Sequence, residues 1–231
     1  GFKKNNFSTK DILTHFIESF GKTFQSDKKP KFWVEKTTSS EIYALEVKKW
    51  FPNAKFIHIL RDPRDNWSSL LSGWDKRYNK YNPSKKYLMD SMLERGKLGF
   101  QMAIDNAENI GHDDYLVIKY EDLVINPIQV MENVSNFLGI GFSENLLSPS
   151  TFGLPWHGNN FNGEVFNGVS ASSVGKWKSR ITKNDAMLIE YYFYDVMKEF
   201  GYETEFDRVS CQKQASEHYK WSNFSDKWGE K

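Results

Sequence analysis

The sequence predicts an α/β domain whose largely parallel sheet is flanked by helices. Three observations point there. Two apolar runs, KFIHIL at 55–60 and DDYLVIKY at 113–120, read as strands buried on both faces, which lose the polar alternation of half-exposed ones. Each runs straight into a helix start. The stretch between them holds a long helical pattern over 84–110, and strands alternating with helices imply parallel pairing. The bulk numbers agree with one domain over 1–231: 231 residues suffice for one sizeable core, and 39% hydrophobic with 26% charged residues is ordinary for a globular chain. A net charge of +1 gives no global field for nucleic acid or acidic membranes, so any anion site is local. The single cysteine, Cys211, excludes an internal disulfide framework.

The elements follow in order. KDILTHFIESF (10–20) places Ile12, Leu13, Phe16, Ile17 and Phe20 at helical spacing, with Gly21 as its stop and GKT (21–23) as a turn. KPKFWVEK supplies a short strand over 31–36. In TTSSEIYALEVKKWF, Thr38 followed by Glu41 is a capping-box pattern, and Ile42, Leu45 and Lys49 or Trp50 form the inward stripe. After KFIHIL, Asp62 can cap a helix, Pro63 suits its first position, and Asp65 sits in the first turn. That helix carries Trp67, Leu70, Leu71 and Trp74 on one face. NPIQVMENVSNFLGI repeats the formula, with Asn126 as cap and Pro127 first. Residues 143–175 are rich in Gly, Ser, Asn and Pro and read as a long excursion. TKNDAMLIEYYFYDVMKEFGY is a helix ending at Gly201, and 205–231 is a polar tail held by Tyr219, Trp221, Phe224 and Trp228.

Lys36, Arg61 and Tyr120 each close a predicted strand. Open parallel sheets bind ligands beyond the carboxyl ends of their strands, so these three groups are expected at one edge. Arg61 stands where a strand meets a helix start, whose free N–H groups and dipole favour an anion, and its guanidinium matches a phosphate. Ser69 is about 200° around the helix from Trp67, off the apolar stripe and available to the same phosphate. The opposite reading pairs Arg61 with Asp62 or Asp65 and leaves Ser69 on the surface. The local string leaves both open.

VEKTTSSEIYALEVKKWFPNAKFIHILRDPRDNWSS, then KYEDLVINP, then VGKWKSRIT resemble the sulfotransferases that use 3′-phosphoadenosine 5′-phosphosulfate (PAPS), particularly their bacterial and protein-tyrosine branch. The resemblance runs over about 31–200 and implies a sheet like that of the P-loop NTPases. It implies that Arg61 and Ser69 grip the 3′-phosphate, that Tyr120 lies beside the adenine, and that Ser172, Ser173 and Lys176 close over the phosphates. It further implies that Lys36 neutralises the leaving oxygen as a sulfuryl group passes to a hydroxyl or amine of a glycan, peptide or small molecule. Among family members the excursion lies near the acceptor pocket, which makes His157 the candidate for acceptor or lid contact.

One part of the pattern is missing. The family's Gly- and Ser/Thr-rich loop between first strand and helix should precede Lys36, and GKT at 21–23 has Phe16 where a phosphate loop needs its first glycine. The expectation is a chain that begins after that strand and loop, opening as it does with GFKKNNFS. The rival is a truncated or diverged, noncatalytic adenosine-3′,5′-bisphosphate binder on the same fold. His15, Glu18 and Glu35 are early enough to be weighed as general base, while His58, mid-strand, reads as a satisfied core histidine. No His/Cys/Asp/Glu spacing suggests a metal. The chain contains neither a transmembrane-length apolar stretch nor a signal-peptide pattern, which reads as cytoplasmic.

Overall fold

The computed structural model describes residues 7–24, 32–73, 84–151, 154–156 and 168–220. The chain divides into two compact units, Gly1–Ala54 and Lys55–Lys231.

In the first unit, helix α1 spans Thr9–Phe24. It opens on a reciprocal cap: Asp11 N–H donates to Ser8 Oγ at 3.2 Å, and Ser8 N–H donates back to Asp11 Oδ2 at 3.0 Å. The helix runs through Gly21, so GKT forms its last turn, not a stop. An isolated glycine weakens a helix by only about 1 kcal/mol, which the surrounding turns override. The strand expected over 31–36 is absent: residues 32–37 are irregular and exposed, and Lys36 closes no strand. An apolar run becomes a strand only when a neighbour takes up its N–H and C=O groups, and the described residues offer this one no partner. A 3-10 turn, Ser40–Tyr43, leads into α2 (Ala44–Trp50), with Ser39 before it at φ 65°, so the helical stretch begins one residue later than a Thr38 cap requires.

The second unit is α/β, with a parallel sheet flanked by helices. Strand β1 (Phe56–Leu60) pairs in parallel with β2 (Tyr115–Lys119), Phe56 facing Tyr115 and Leu60 facing Lys119. Parallel neighbours need a long crossover. It contains α3 (Pro63–Gly73) and α4 (Lys85–Ile110), the latter capped by Ser84, whose side chain accepts from Tyr87 N–H. Helix α5 (Tyr120–Ile125) follows β2 directly, and α6 (Pro127–Leu138) begins on proline as expected. The excursion contains a short antiparallel pair, β3 (Ser150–Thr151) and β4 (Leu154–Pro155). Helix α7 is a single turn, Trp177–Arg180, α8 spans Lys183–Glu199, and α9 spans Arg208–Lys220.

The core gathers Leu60 of β1, Trp67 of α3, Met89, Leu93 and Phe100 of α4, Leu188, Ile189, Phe193 and Met197 of α8, and Ala215 of α9. Gly96 lets α4 and α8 approach: a Cβ there would stand 2.9 Å from Phe193 Cζ. Two expectations are corrected. Strand β1 is not buried on both faces, since Ile57 and Ile59, on the side opposite Leu60, are 39% and 53% exposed. The segment after 205 is not simply a tail, because α9 buries Cys211 and Ala215. It packs on the preceding helix α8, a contact that its mostly polar composition does not announce. Trp221, Phe224 and Trp228 lie outside the described residues. Among the described residues no helix is long and apolar enough to cross a membrane.

Candidate functional site

The parallel register brings the ends of β1 and β2 side by side, so the next residues, Arg61 and Tyr120, meet. The Arg61 guanidinium carbon lies 4.5 Å from the centroid of the Tyr120 ring. Its Nη2 donates to the Ser173 carbonyl at 3.0 Å, which brings the 170–177 loop to the same edge. The Arg61 Nε–H is buried and has no hydrogen-bond partner among the described residues, a state shared only with the Trp67 indole N–H. A buried donor left unpaired costs about 1–3 kcal/mol, so the described residues satisfy the Arg61 guanidinium only in part.

Neither acid near Arg61 absorbs it. Asp62 caps α3 through Arg64 N–H at 2.8 Å, and its carboxylate takes the Arg64 fork, Nε to Oδ1 at 3.0 Å and Nη2 to Oδ2 at 2.7 Å. Asp65 accepts Gly175 N–H at 2.7 Å and Trp177 N–H at 2.9 Å. Burial pushes the Asp65 carboxyl above its ordinary range, outweighing those two N–H groups and nearby Arg61. Arg64 also donates to Glu190 at 2.6 Å and the Glu203 carbonyl at 2.9 Å, and lies 4.2 Å from the Trp177 ring centroid. Burial works against its charge, and the ion pairs to Asp62 and Glu190 outweigh that, holding its pKa above the usual arginine value.

Glu121 ties the two strand ends together. It accepts Asp62 N–H at 2.9 Å and the Tyr202 hydroxyl at 2.9 Å. Burial and the Glu121 charge push the Tyr202 phenol far up, so it stays a donor at any physiological pH.

Arg61 thus touches both Tyr120 and Ser173. Ser172 sits beside them in the loop, its N–H donating to Ser170 Oγ at 3.2 Å. Half-buried Lys176 precedes α7, and half-buried Ser69 lies on α3 two turns beyond Arg61. Lys36 belongs to the first unit and is exposed, and His157 lies outside the described residues. His15, in the first unit, has Nδ1 2.7 Å from the Asp11 carbonyl, and Glu18 and Glu35 are exposed. His58 is a satisfied histidine of β1, Nδ1 2.8 Å from the Tyr115 hydroxyl. Among the described residues no group of three His, Cys, Asp or Glu side chains is placed to hold a metal.

Sequence reasoning missed Asp65, Glu121 and Glu190. Glu121 lies inside the quoted YED string, and the string offers Asp65 as a first-turn acid or a partner for Arg61, not as the anchor of the 170–177 loop. Glu190 carries no local signal, since its partners Arg64, Glu205 and Phe206 are brought to it by the fold.

A sequence profile of the Sulfotransferase family matches residues 6–144, more than half of the chain. The chain is 28% identical over 106 residues to Protein-tyrosine sulfotransferase A of Caenorhabditis elegans, covering 45% of this chain and 26% of that protein. It is 29% identical over 162 residues to Carbohydrate sulfotransferase 1 of Rattus norvegicus, covering 65% of this chain and 39% of that protein. It therefore spans well under half the length of these relatives. The sulfotransferase domain from the curacin biosynthetic pathway superimposes with a TM-score of 0.61 at 19% identity, covering 85% of this chain and 69% of that one, a likeness of fold. A profile that runs through β1, the Arg61 turn and the start of α5 places this chain in the Sulfotransferase family.

Proposed function

We propose that this chain supplies the nucleotide-binding part of a sulfotransferase that moves a sulfuryl group from PAPS to a hydroxyl or amine. The observation that carries the reading is the Arg61 guanidinium, stacked on Tyr120, tied to the Ser173 carbonyl and left with an unpaired buried Nε–H. A planar guanidinium that the described residues satisfy only in part suits a phosphate. On this reading Arg61 and Ser69 hold the 3′-phosphate, Tyr120 lines the adenine, and Ser172, Ser173 and Lys176 face the phosphates.

PAPS supplies an activated sulfuryl group: its S–O bond to the 5′-phosphate breaks as a new S–O or S–N bond forms to the acceptor. The acceptor's proton passes to a base, and 3′-phosphoadenosine 5′-phosphate leaves. Lys36 is assigned to the charge growing on the leaving phosphate oxygen, a role for which a mobile ammonium is suited. His157 is assigned to acceptor or lid contact. The relatives named for protein-tyrosine and carbohydrate acceptors favour a phenolic or sugar hydroxyl over an amine.

Calorimetric titration with 3′-phosphoadenosine 5′-phosphate, beside 5′-AMP and an Arg61→Ala variant, tests the reading. Binding that needs both the 3′-phosphate and Arg61 is expected. Equal affinity for the two nucleotides, or none for either by the folded chain, overturns it.

A further inference from the structure

The loop at the proposed phosphate site is held by a buried carboxylate bonded to the loop's own backbone. Asp65 is only 1% exposed, and both its oxygens are occupied by backbone N–H groups, of Gly175 at 2.7 Å and Trp177 at 2.9 Å. Arg61 reaches the same loop at Ser173, and Arg64 packs on the Trp177 ring. Residues 173, 175 and 177 are therefore all anchored to one short stretch, 61–65, where β1 hands over to α3. Gly175 sits at φ 70°, a left-handed conformation that an L side chain adopts only with strain.

We propose that Asp65 is a positioning residue for the anion site: its carboxylate sets the register of the 170–177 loop and so decides which loop groups face a phosphate beside Arg61. By consuming the N–H groups of Gly175 and Trp177, it leaves Lys176, the residue between them, with a fixed backbone. The Ser173 hydroxyl, the Lys176 ammonium and the Ser172 hydroxyl, which accepts from Ser170 Oγ at 3.0 Å, are the loop groups assigned to the ligand. A carboxylate does this where an apolar residue would not, because two charge-assisted bonds to amides two residues apart fix both position and direction. Burying it costs free energy, consistent with its raised pKa, and packing alone gives no reason to place a charge there. The inference rests on the nucleotide reading above and refines it.

Asp65→Asn keeps the side chain's shape but sets an NH₂ donor against one loop N–H. Amide hydrogen exchange in the ligand-free protein, together with titrations of 3′-phosphoadenosine 5′-phosphate and 5′-AMP, reads the consequence. Exchange at Gly175 and Trp177 is expected to quicken about tenfold, the equivalent of one lost charge-assisted hydrogen bond. The ratio of the two nucleotides' affinities is expected to fall by about the same factor. A merely structural role would weaken both nucleotides alike and leave the ratio unchanged, which overturns the proposal.

If Asp65→Asn does not fold, Gly175→Ala strains the same loop while leaving α3 intact and predicts the same fall in ratio. An unchanged ratio there is equally decisive against the proposal. If the wild-type chain binds neither nucleotide, the nucleotide reading fails by itself. The anchor is then judged by exchange alone, and unprotected Gly175 and Trp177 amides in the folded wild type overturn it.

Discussion

Arg61 and Arg64 stand three residues apart at the same strand-to-helix turn and meet opposite fates. Arg64 is 4% exposed and closed: its guanidinium is shared among Asp62, Glu190 and the Glu203 carbonyl, with the Trp177 ring against its face. Arg61 is open in the sense of incompletely answered: it has one bond to Ser173, one aromatic face and a buried Nε–H without a partner among the described residues. A closed arginine belongs to the scaffold, because all three of its guanidinium nitrogens are answered by the protein itself. An open one is poised for something the chain does not supply. The contrast teaches that the candidate site is marked less by charge than by incomplete satisfaction.

The largest effect should come from breaking the closed member. Arg64→Met leaves Glu190 and Asp62 buried without their cation and is expected to cost about 3–5 kcal/mol of unfolding free energy in a denaturant titration. A cost under about 1 kcal/mol would mean the network relaxes easily, and the distinction between the two arginines would fail. Arg61→Met should do the reverse. Stability is expected to stay within about 1 kcal/mol of wild type, since little is left unpaired, while affinity for 3′-phosphoadenosine 5′-phosphate falls by about 2–3 kcal/mol in calorimetry.

A smaller effect sharpens the link between the two strand ends. Tyr202→Phe removes one of the two donors to Glu121 and should cost about 1 kcal/mol, read from the shift in denaturation midpoint. The smallest concerns a pair remote from the site. Burial would raise the Asp90 carboxyl, but hydrogen bonds from Lys86 and His218 outweigh it and hold the carboxyl below its ordinary value. A depressed carboxyl stabilises the fold above its unfolded pKa, and that contribution is lost as pH falls through the folded one. Asp90→Asn should therefore cost about 0.5–1 kcal/mol at neutral pH, with the difference from wild type vanishing in acid. Denaturation curves across pH 2–7 check the sign, and a difference that grows toward acid would contradict it.

Much of the second unit was legible as a string. KFIHIL ends where β1 ends, Asp62 caps α3 and Pro63 opens it, and Pro127 opens α6, although the Asn126 side chain makes no cap hydrogen bond. Caps, fixed proline φ and apolar runs act over a few residues, so local sequence carries them. Arg61 and Tyr120 were legible as site candidates for the same reason, being set at strand ends, whereas Ser172, Ser173 and Lys176 entered only through the family resemblance. The failures share a different cause. KFWVEK has a strand's composition but no ladder partner among the described residues, and α9 lies in a stretch whose polar composition hid Cys211 and Ala215 as a buried edge.

By itself, then, the sequence determined the alternation of strand and helix, the parallel crossover and the arginine at the strand's end, because each follows from backbone rules confined to one turn or one run. Only the tertiary structure decided which arginine is closed and which is open. That choice depends on Glu190, Glu203 and Ser173, residues more than a hundred positions away that the fold alone sets beside α3. Hydrogen-bond satisfaction depends on distance in space, and no local pattern records it.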